Sequence, residues 1–397
     1  MSGAAFLLLP VLVLAPRGAT LLVCCAGVAA ATLVWETGGA AVRRLVGPAI
    51  LLGLMLLLGA ASAAWSIIPL RSLEMAGRIG GLAIAGLSLV AAAPLANARP
   101  VLLALAIGTA VAAVLAVVEV ASAGTLSGLV FTRPFAPTRI DEAATVLAVL
   151  TLPIATAPLG RPFRGPLLVL ALSIAATICM LSGTTAKIAL VIGVLAEGFF
   201  LLDYRGISRI AAMLVLLTVS TAPLTFPRLA SSDVLFRVTD QIKSSASHRL
   251  LIWSFVGKHI TERPLLGWGL DASRAIPDGK ELFRPGQEKL PLHPHNASLQ
   301  LWLELGLPGA LLGALLLAAP FYALSLAAWP RLYAAAIGGT LSIALIALLD
   351  CFSLWNESWQ AALWFSAFIV LVFGRVPAVA ERPSRPATEE RAVAVGA

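Results

Sequence analysis

The sequence predicts an all-α, polytopic membrane protein with about twelve transmembrane helices. Three observations carry that expectation. Hydrophobic residues make up 59% of the 397-residue chain and charged residues 12%, whereas soluble domains carry about 25% charged residues. The mean hydropathy is +0.94, more apolar surface than a soluble chain of this length can hide. Finally, the apolar residues fall in runs of about 16–22, long enough at about 1.5 Å per residue to cross roughly 30 Å of hydrocarbon. The runs do not alternate polar with apolar positions, which excludes a transmembrane barrel.

Breaking the chain at charges, prolines and glycines gives the spans in order: 5–15, 19–34, 45–61, 79–96, 101–121, 143–157, 167–181, 187–202, 210–224, 299–326, 334–349 and 359–373. The first two are short and separated by the turn APRG. The opening MSGAAFLLLPVLVLAP has no basic residue before Arg17, so it lacks the charged start of a cleavable signal and reads as a first span. Cys24, Cys25, Cys179 and Cys351 show no CxxC spacing, so neither a disulfide nor a zinc framework is expected. They read as small apolar packing residues.

Charge sets the topology. With the amino terminus in the cytoplasm, the cytoplasmic connections hold Arg43, Arg44, Arg99, Arg161, Arg164, Arg205, Arg209 and Arg331. The tail adds Arg375, Arg382, Arg385 and Arg391. This is the bias that the positive-inside rule requires, so the net charge of +8 speaks of membrane orientation and not of nucleic acid. The organisation is then a bundle of about nine spans over 1–225, a hydrophilic external loop with short helices over 226–298, about three more spans over 299–375, and a polar, proline-rich tail over 376–397 that is expected to be disordered.

The long loop holds all four histidines, His248, His259, His293 and His295. Its stretch SSASHRLLIWSFVGKHITERPLLGWG reads as a helix with a serine N-cap, ended by Pro264 and Gly267. That reading puts Arg249 in the first turn, where a cation opposes the helix dipole unless an anion binds there; an arginine pointing into water is the plain alternative. Further on stands HPHNASLQLWLELGLPG. Pro294 holds His293 extended, and His295 with Asn296 is expected to start the next helix. Asn296, Gln300 and Glu304 recur every four residues, a polar stripe that at this depth must face the bundle interior or a wet cavity. The helix is therefore expected to line a polar cleft.

Three readings of His295 stay open: a metal ligand, a helix-start hydrogen-bonding group, or a general base. The HxH pair supplies at most two of the three or four ligands a zinc site needs. A neutral imidazole with an unperturbed pKa of about 6.5 suits proton abstraction. Lys187, the first lysine in the chain, follows SGTT at the start of the eighth span and on the external side. Its plain reading is a side chain snorkelling to the interface; its functional one is a phosphate contact. Arg133 and Arg139, in FTRPFAPTRIDE, are candidates for holding substrate phosphates or belong to an ordinary solvated loop. Two cations and a base on one side of a membrane fit a reaction on a lipid-linked pyrophosphate. A transporter fits less well, because charged residues within spans are few, Glu119 being one, and no inverted repeat is evident. A membrane scaffold leaves the polar stripe unexplained.

The sequence resembles the bacterial O-antigen ligases and their relatives, the O-antigen polymerases and protein O-oligosaccharyltransferases. The ligase signature is His, then Asn, Ser or Gln, nine residues, and Gly-x-x-Gly. Here it is met by His295, Asn296, the nine residues 297–305, and Gly306, Leu307, Pro308 and Gly309. RLLIWSFVGKHITERPLLGWG looks like the family's arginine–tryptophan segment and its PLLGxG turn. The resemblance implies a GT-C-type, metal-independent membrane glycosyltransferase with no cofactor, at the periplasmic face of the bacterial inner membrane. It implies a glycan donor linked to undecaprenyl pyrophosphate, an acceptor hydroxyl on lipid A-core or another glycan, membrane lipids as surroundings, and no nucleic acid. Carried over by position, His295 matches the essential histidine, Arg249 the arginine of the long loop, and Lys187 a place where the family usually has arginine. Lysine keeps the charge there without the bidentate fork. His248, His293 and Asn296, with Arg133 and Arg139, are the expected substrate-binding residues. A polymerase or a protein O-glycosyltransferase would use the same kind of donor.

Overall fold

Each predicted span overlaps helical residues in the computed structural model, which describes residues 1–36, 43, 45–130, 138–157, 160–181 and 183–374. In chain order the helices are α1 (Ser2–Leu14), α2 (Gly18–Glu36), α3 (Val46–Ala61), α4 (Pro69–Ala92), α5 (Ala98–Ala121), the short α6 (Thr125–Val130), α7 (Thr138–Thr156), α8 (Arg161–Met180), α9 (Thr184–Phe200) and α10 (Tyr204–Ala230). The loop contributes α11 (Asp233–Ile242) and α12 (Ser244–Glu262), and α13 (Ala297–Leu326), α14 (Arg331–Asp350) and α15 (Glu357–Phe373) complete the chain. Among the described residues, eight helices are long and apolar enough to cross a membrane: α2, α3 with its following 3-10 turn, α4, α5, α8, α10, α13 and α14. Leu21, Leu57, Leu103, Val169 and Leu217 are each more than half exposed. Apolar surface on that scale is what a bilayer covers. The chain is a multi-pass, predominantly α-helical membrane protein.

The helices pack in close pairs, α10 with α13, α9 with α14, α1 with α5 and α2 with α4. Small residues let the backbones approach, since lipid gives helices no hydrophobic reason to associate. A Cβ on Gly27 would stand 2.6 Å from the Ala85 Cα, and one on Gly339 would stand 2.6 Å from the Gly193 carbonyl oxygen. Helix α4 starts at Pro69, ten residues before the predicted 79, because Arg71, Glu74 and Arg78 pair with one another along its first turns at 3.7 Å or less. Such paired charges extend a helix beyond its apolar stretch.

Helix α10 contains Pro223, which has no N–H to give to the carbonyl of Val219. The indole Nε1 of Trp302 donates to that carbonyl instead, at 2.8 Å. A carbonyl freed inside a membrane protein has to be satisfied internally. Here the sequence of one helix creates the acceptor and that of another supplies the donor.

The predicted tenth span is not one continuous helix. Gly306 has φ 62 and ψ −155, and the helix breaks there into a short arm (297–305) and a long arm (307–326). The arms fold toward each other: a Cβ on Gly313 would lie 2.4 Å from the Leu301 Cδ1, although twelve residues of continuous helix would separate the two by about 18 Å. The break is built from Gly306-Leu307-Pro308-Gly309. A Cβ on Gly306 would stand 2.3 Å from the Leu265 carbonyl oxygen, and one on Gly309 would stand 2.1 Å from the Leu305 Cβ. Pro308 cannot donate to the carbonyl of Glu304, and the N–H of Gly269 does so at 2.8 Å. Trp268 N donates to the Leu303 carbonyl at 2.9 Å, and Leu307 N to the Pro264 carbonyl at 3.0 Å. The PLLGWG turn and the GLPG turn are therefore two halves of one backbone junction.

The 226–298 loop folds onto this junction. α12 buries Ile252, Val256 and Ile260 in a second, smaller core with Trp268, Ile276, Leu290, Leu299 and Leu303. A two-stranded antiparallel hairpin, β1 (Leu282–Arg284) with β2 (Gln287–Glu288), is the departure from an all-α fold among the described residues. The α3–α4 link lies at the same end, Trp65 Nε1 donating to the Leu266 carbonyl at 2.9 Å and Leu270 N to the Ser62 hydroxyl at 2.9 Å. At the opposite end, Tyr204 donates to the Ala327 carbonyl at 2.9 Å and Arg331 Nε to the Leu201 carbonyl at 2.6 Å. The expected tail and Arg44 lie outside the described residues.

Candidate functional site

Arg249 and Trp253 are four residues apart on α12 and so share a face. Trp253 Nε1 donates to the carbonyl of Pro294 at 3.2 Å, which fastens the HPH segment to that face. Arg249 is thereby brought up to the histidines. α12 begins at Ser244, with Lys243 at the N-cap position and no side-chain cap. Arg249 thus sits in the second turn, not the first, and the expected conflict with the helix dipole, which fades within a turn, does not arise. Its charge is met by Asp350, with Nη1 3.6 Å from Oδ1. Its Nε is buried with no hydrogen-bond partner among the described residues.

His295 does not start the helix. It occupies the left-handed region at φ 51, uncommon for a residue with a side chain and frequent at functional sites. Asn296 is the N-cap, its side chain accepting from Leu299 N at 3.1 Å. The His295 Nδ1 is 3.2 Å from the carbonyl oxygen of Cys351. A carbonyl only accepts, so Nδ1 carries the proton and Nε2 presents its lone pair. The His295 N–H donates to His293 Nδ1 at 3.2 Å, and the two rings stand 4.3 Å apart. Burial first, then the neighbouring Arg249, holds the His295 pKa down at about 4. Burial, His295, Arg274 and Arg249 hold His293 down at about 3. Both rings are neutral at neutral pH.

Asp350, the last residue of α14, accepts from the Thr185 hydroxyl at 2.6 Å, so α9 is tied to the same cluster. A carboxylate at a helix C-terminus opposes the dipole; Arg249 and Thr185 compensate it. Cys351 is not a nucleophile in waiting: burial pushes its thiol up to about 11. It contributes its backbone carbonyl. Sequence reasoning missed Asp350, Thr185 and Cys351. The available signal was a lone carboxylate closing an apolar run.

Of the expected site residues, the structure brings together His295, Arg249, His293 and Asn296. His248 is half-buried nearby, its Nε2 2.7 Å from the Glu288 carbonyl. Lys187 lies on α9 at the loop end, half-buried, two residues and about 200° round the helix from Thr185. Thr184, which accepts from Lys243 at 2.8 Å, is nearer to its face. Arg133 lies outside the described residues, and Arg139 falls in the first turn of α7 with its side chain outside them.

The polar stripe has the expected period but another purpose. Gln300 and Glu304 are buried and line no open cleft. Glu304 takes four donors: Asp271 N at 2.6 Å, Gln300 Nε2 at 3.1 Å, the Ser273 hydroxyl and Trp355 Nε1. Gln300 holds the link after α14 by donating to the Ser353 hydroxyl at 2.9 Å and accepting from Leu354 N at 3.1 Å. The stripe stitches the 267–274 turn and the 351–356 link to the short arm that follows His295. Among the described residues, no group of three or more His, Cys, Asp or Glu stands close enough to hold a metal ion.

Residues 168–314, which include α9, the loop and the junction, match the O-antigen ligase family. That segment is similar to the O-antigen ligases. A protein of Rickettsia conorii (strain ATCC VR-613 / Malish 7), whose name marks it provisionally as a polysaccharide ligase, is 29% identical over 258 residues, covering 63% of this chain and 62% of its own length. A similarly named protein of Rickettsia felis is 28% identical over 258 residues with the same coverage. One of Rickettsia typhi is 35% identical over 130 residues, 31% of this chain and 32% of its own. This chain thus spans less than two thirds of the length of these relatives. The histidine signature lies inside the matched region.

Proposed function

We propose that this protein belongs to the O-antigen ligase family and is a GT-C-type glycosyltransferase. It moves a glycan from undecaprenyl pyrophosphate to an acceptor hydroxyl, on lipid A-core or a similar glycan, at the periplasmic face of the bacterial inner membrane. The observation that carries this reading is the pairing of a neutral His295, its Nδ1 engaged by the Cys351 carbonyl so that Nε2 presents a lone pair, with the fixed guanidinium of Arg249. The acceptor hydroxyl attacks the anomeric carbon of the donor sugar while the carbon–oxygen bond to pyrophosphate breaks. The hydroxyl proton passes to Nε2 of His295, and the electron pair leaves with the pyrophosphate, whose growing charge Arg249 offsets. Asp350 orients Arg249, and the Cys351 carbonyl fixes the imidazole tautomer. Lys187 is the second cation for the diphosphate, and Arg133 and Arg139 bind substrate phosphates.

A cavity of about 160 Å³ between α10, α13 and α14 supports a lipid-linked donor. Its lining includes Leu214, Val215, Thr218, Ser298, Leu345 and Leu349. Ser298 is three residues after His295 and Leu349 immediately precedes Asp350, so apolar lining gives way to polar site within a few residues. The organisation proposed is the bundle 1–225, the loop 226–298, the helices 299–375 and the tail 376–397.

Purified protein given a lipid-pyrophosphate glycan and an acceptor, with a chelator present, is expected to form product. His295→Ala is expected to lose at least about a hundredfold in kcat, the lower range of general-base contributions. Full transfer by His295→Ala rejects the base assignment, and loss of transfer on chelation rejects metal independence.

A further inference from the structure

We propose that Arg274 forms an acceptor-side anion subsite, gripping a phosphate or carboxylate group carried by the acceptor glycan. This rests on the reading above, in which the donor diphosphate lies against Arg249. The reacting centre then sits at His295, and the acceptor has to approach from a side that Arg249 does not occupy. His293 stands beside His295 with ring centres 4.3 Å apart. Arg274 is the other arginine whose charge acts on His293.

The geometry around Arg274 is fixed from two directions. Its Nε and Nη2 donate to the two oxygens of Asp271, at 3.1 and 2.9 Å. Asp271 is itself nearly fully buried and in the left-handed region at φ 57. Two residues of the same turn, Asp271 by its N–H and Ser273 by its hydroxyl, are bound to Glu304, on the short arm that begins just after His295. The turn that carries Arg274 is therefore tied to the short arm whose other end follows His295.

What is held is a usable cation. Asp271 also accepts from Arg71 Nε at 2.7 Å, so one buried carboxylate serves two guanidiniums and leaves one positive charge over within that trio. Glu74 stands 3.7 Å from Arg71 but is shared with Arg78, which also reaches Glu357 at 3.2 Å. These acids lie on the Arg71 side. The Arg274 side chain is 35% exposed, and its Nη1 has no partner among the described residues. A guanidinium braced on one edge and open on another presents a directed donor to an oxyanion.

The test uses the full chain in nanodiscs with one lipid-pyrophosphate donor and three forms of one acceptor oligosaccharide: phosphorylated, carboxylated and neutral. Arg274→Gln is expected to raise the acceptor KM roughly tenfold to a hundredfold for a charged form, the scale of one charged hydrogen bond. The kcat, the donor KM and turnover of the neutral form are expected to stay within about twofold of the parent enzyme's, a margin of about 0.4 kcal/mol. Arg274→Lys is expected to recover part of the loss. Whichever charged form responds identifies the group recognised. Equal losses on charged and neutral acceptors, a changed donor KM, or a parent enzyme indifferent to acceptor charge overturns the proposal. Retained turnover of the neutral acceptor reports that the variant is folded. Titration of the phosphorylated oligosaccharide without donor reads the subsite independently of transfer, so failure of the glycosyl-transfer reading is seen separately.

Discussion

Replacing Gly306 by alanine tests the junction directly. The backbone there, at φ 62 and ψ −155, lies in a region open essentially to glycine, and holding a side-chain-bearing residue in it costs about 1–3 kcal/mol. The added methyl would also stand 2.3 Å from the Leu265 carbonyl oxygen and 2.7 Å from the Leu266 nitrogen. These are backbone atoms, so relief requires the PLLGWG turn to move away. Moving it loosens the hydrogen bonds from Trp268, Gly269 and Leu307, each worth a net of about 0.5–1.5 kcal/mol. Together the loss is about 3–7 kcal/mol. Gly286→Ala is the control, because Gly286 also has a positive φ of 75 but nothing stands within 4 Å of the position a Cβ would take. It is expected to lose about 1–2 kcal/mol, the conformational part alone. Thermal unfolding in detergent at one scan rate, read beside the transfer assay, separates the two: Gly306→Ala unfolds well below the parent with transfer abolished, and Gly286→Ala stays close to it. A Gly306→Ala protein as stable and active as Gly286→Ala refutes the account.

The His295 pKa of about 4 gives a pH prediction with a definite sign. At pH 5.5 an ordinary histidine is about nine-tenths protonated, whereas His295, its pKa lowered, keeps its lone pair. The donor kcat/KM, which reports the free enzyme, is therefore expected to change by less than about twofold between pH 7.5 and 5.5, and a fall of about tenfold refutes it. In the proposed reaction diphosphate binding offsets the charge of Arg249, so the acid limb of kcat is expected at higher pH than that of kcat/KM. A separate prediction concerns the proline-freed carbonyl of Val219. Trp302→Phe leaves it unsatisfied and is expected to cost about 1–3 kcal/mol; adding Pro223→Ala restores a helical N–H and is expected to recover part of the loss. Strict additivity of the two changes in unfolding experiments argues against the pairing.

The helices were legible because hydrophobic runs report spans almost regardless of detail, as the coincidence of 101–121 with α5 illustrates. The break in α13 was not, because glycine and proline are tolerated inside membrane helices. The sign available was three breakers in the four residues Gly306, Leu307, Pro308 and Gly309, together with a proline placed four after Glu304. The recurrence of Asn296, Gln300 and Glu304 gave the correct face. A period identifies which side of a helix is polar but not what meets it, and here two loops distant in sequence do. Arg249 and His295 were readable through the motif spacing. Asp350 and Arg274 were not, since each gains its place from a contact across more than 30 residues: Asp350 with Arg249, Arg274 through Glu304.

The four donors gathered on Glu304 have a mechanical consequence. The segment carrying the Cys351 carbonyl and the segment carrying Arg274 hang from one carboxylate, as two ropes hang from one cleat. A molecule that tugs on the 351–356 link as it seats itself will shift the 267–274 turn in the same motion, so occupancy on one flank of the histidine is felt on the other without any large rearrangement of the surrounding bundle.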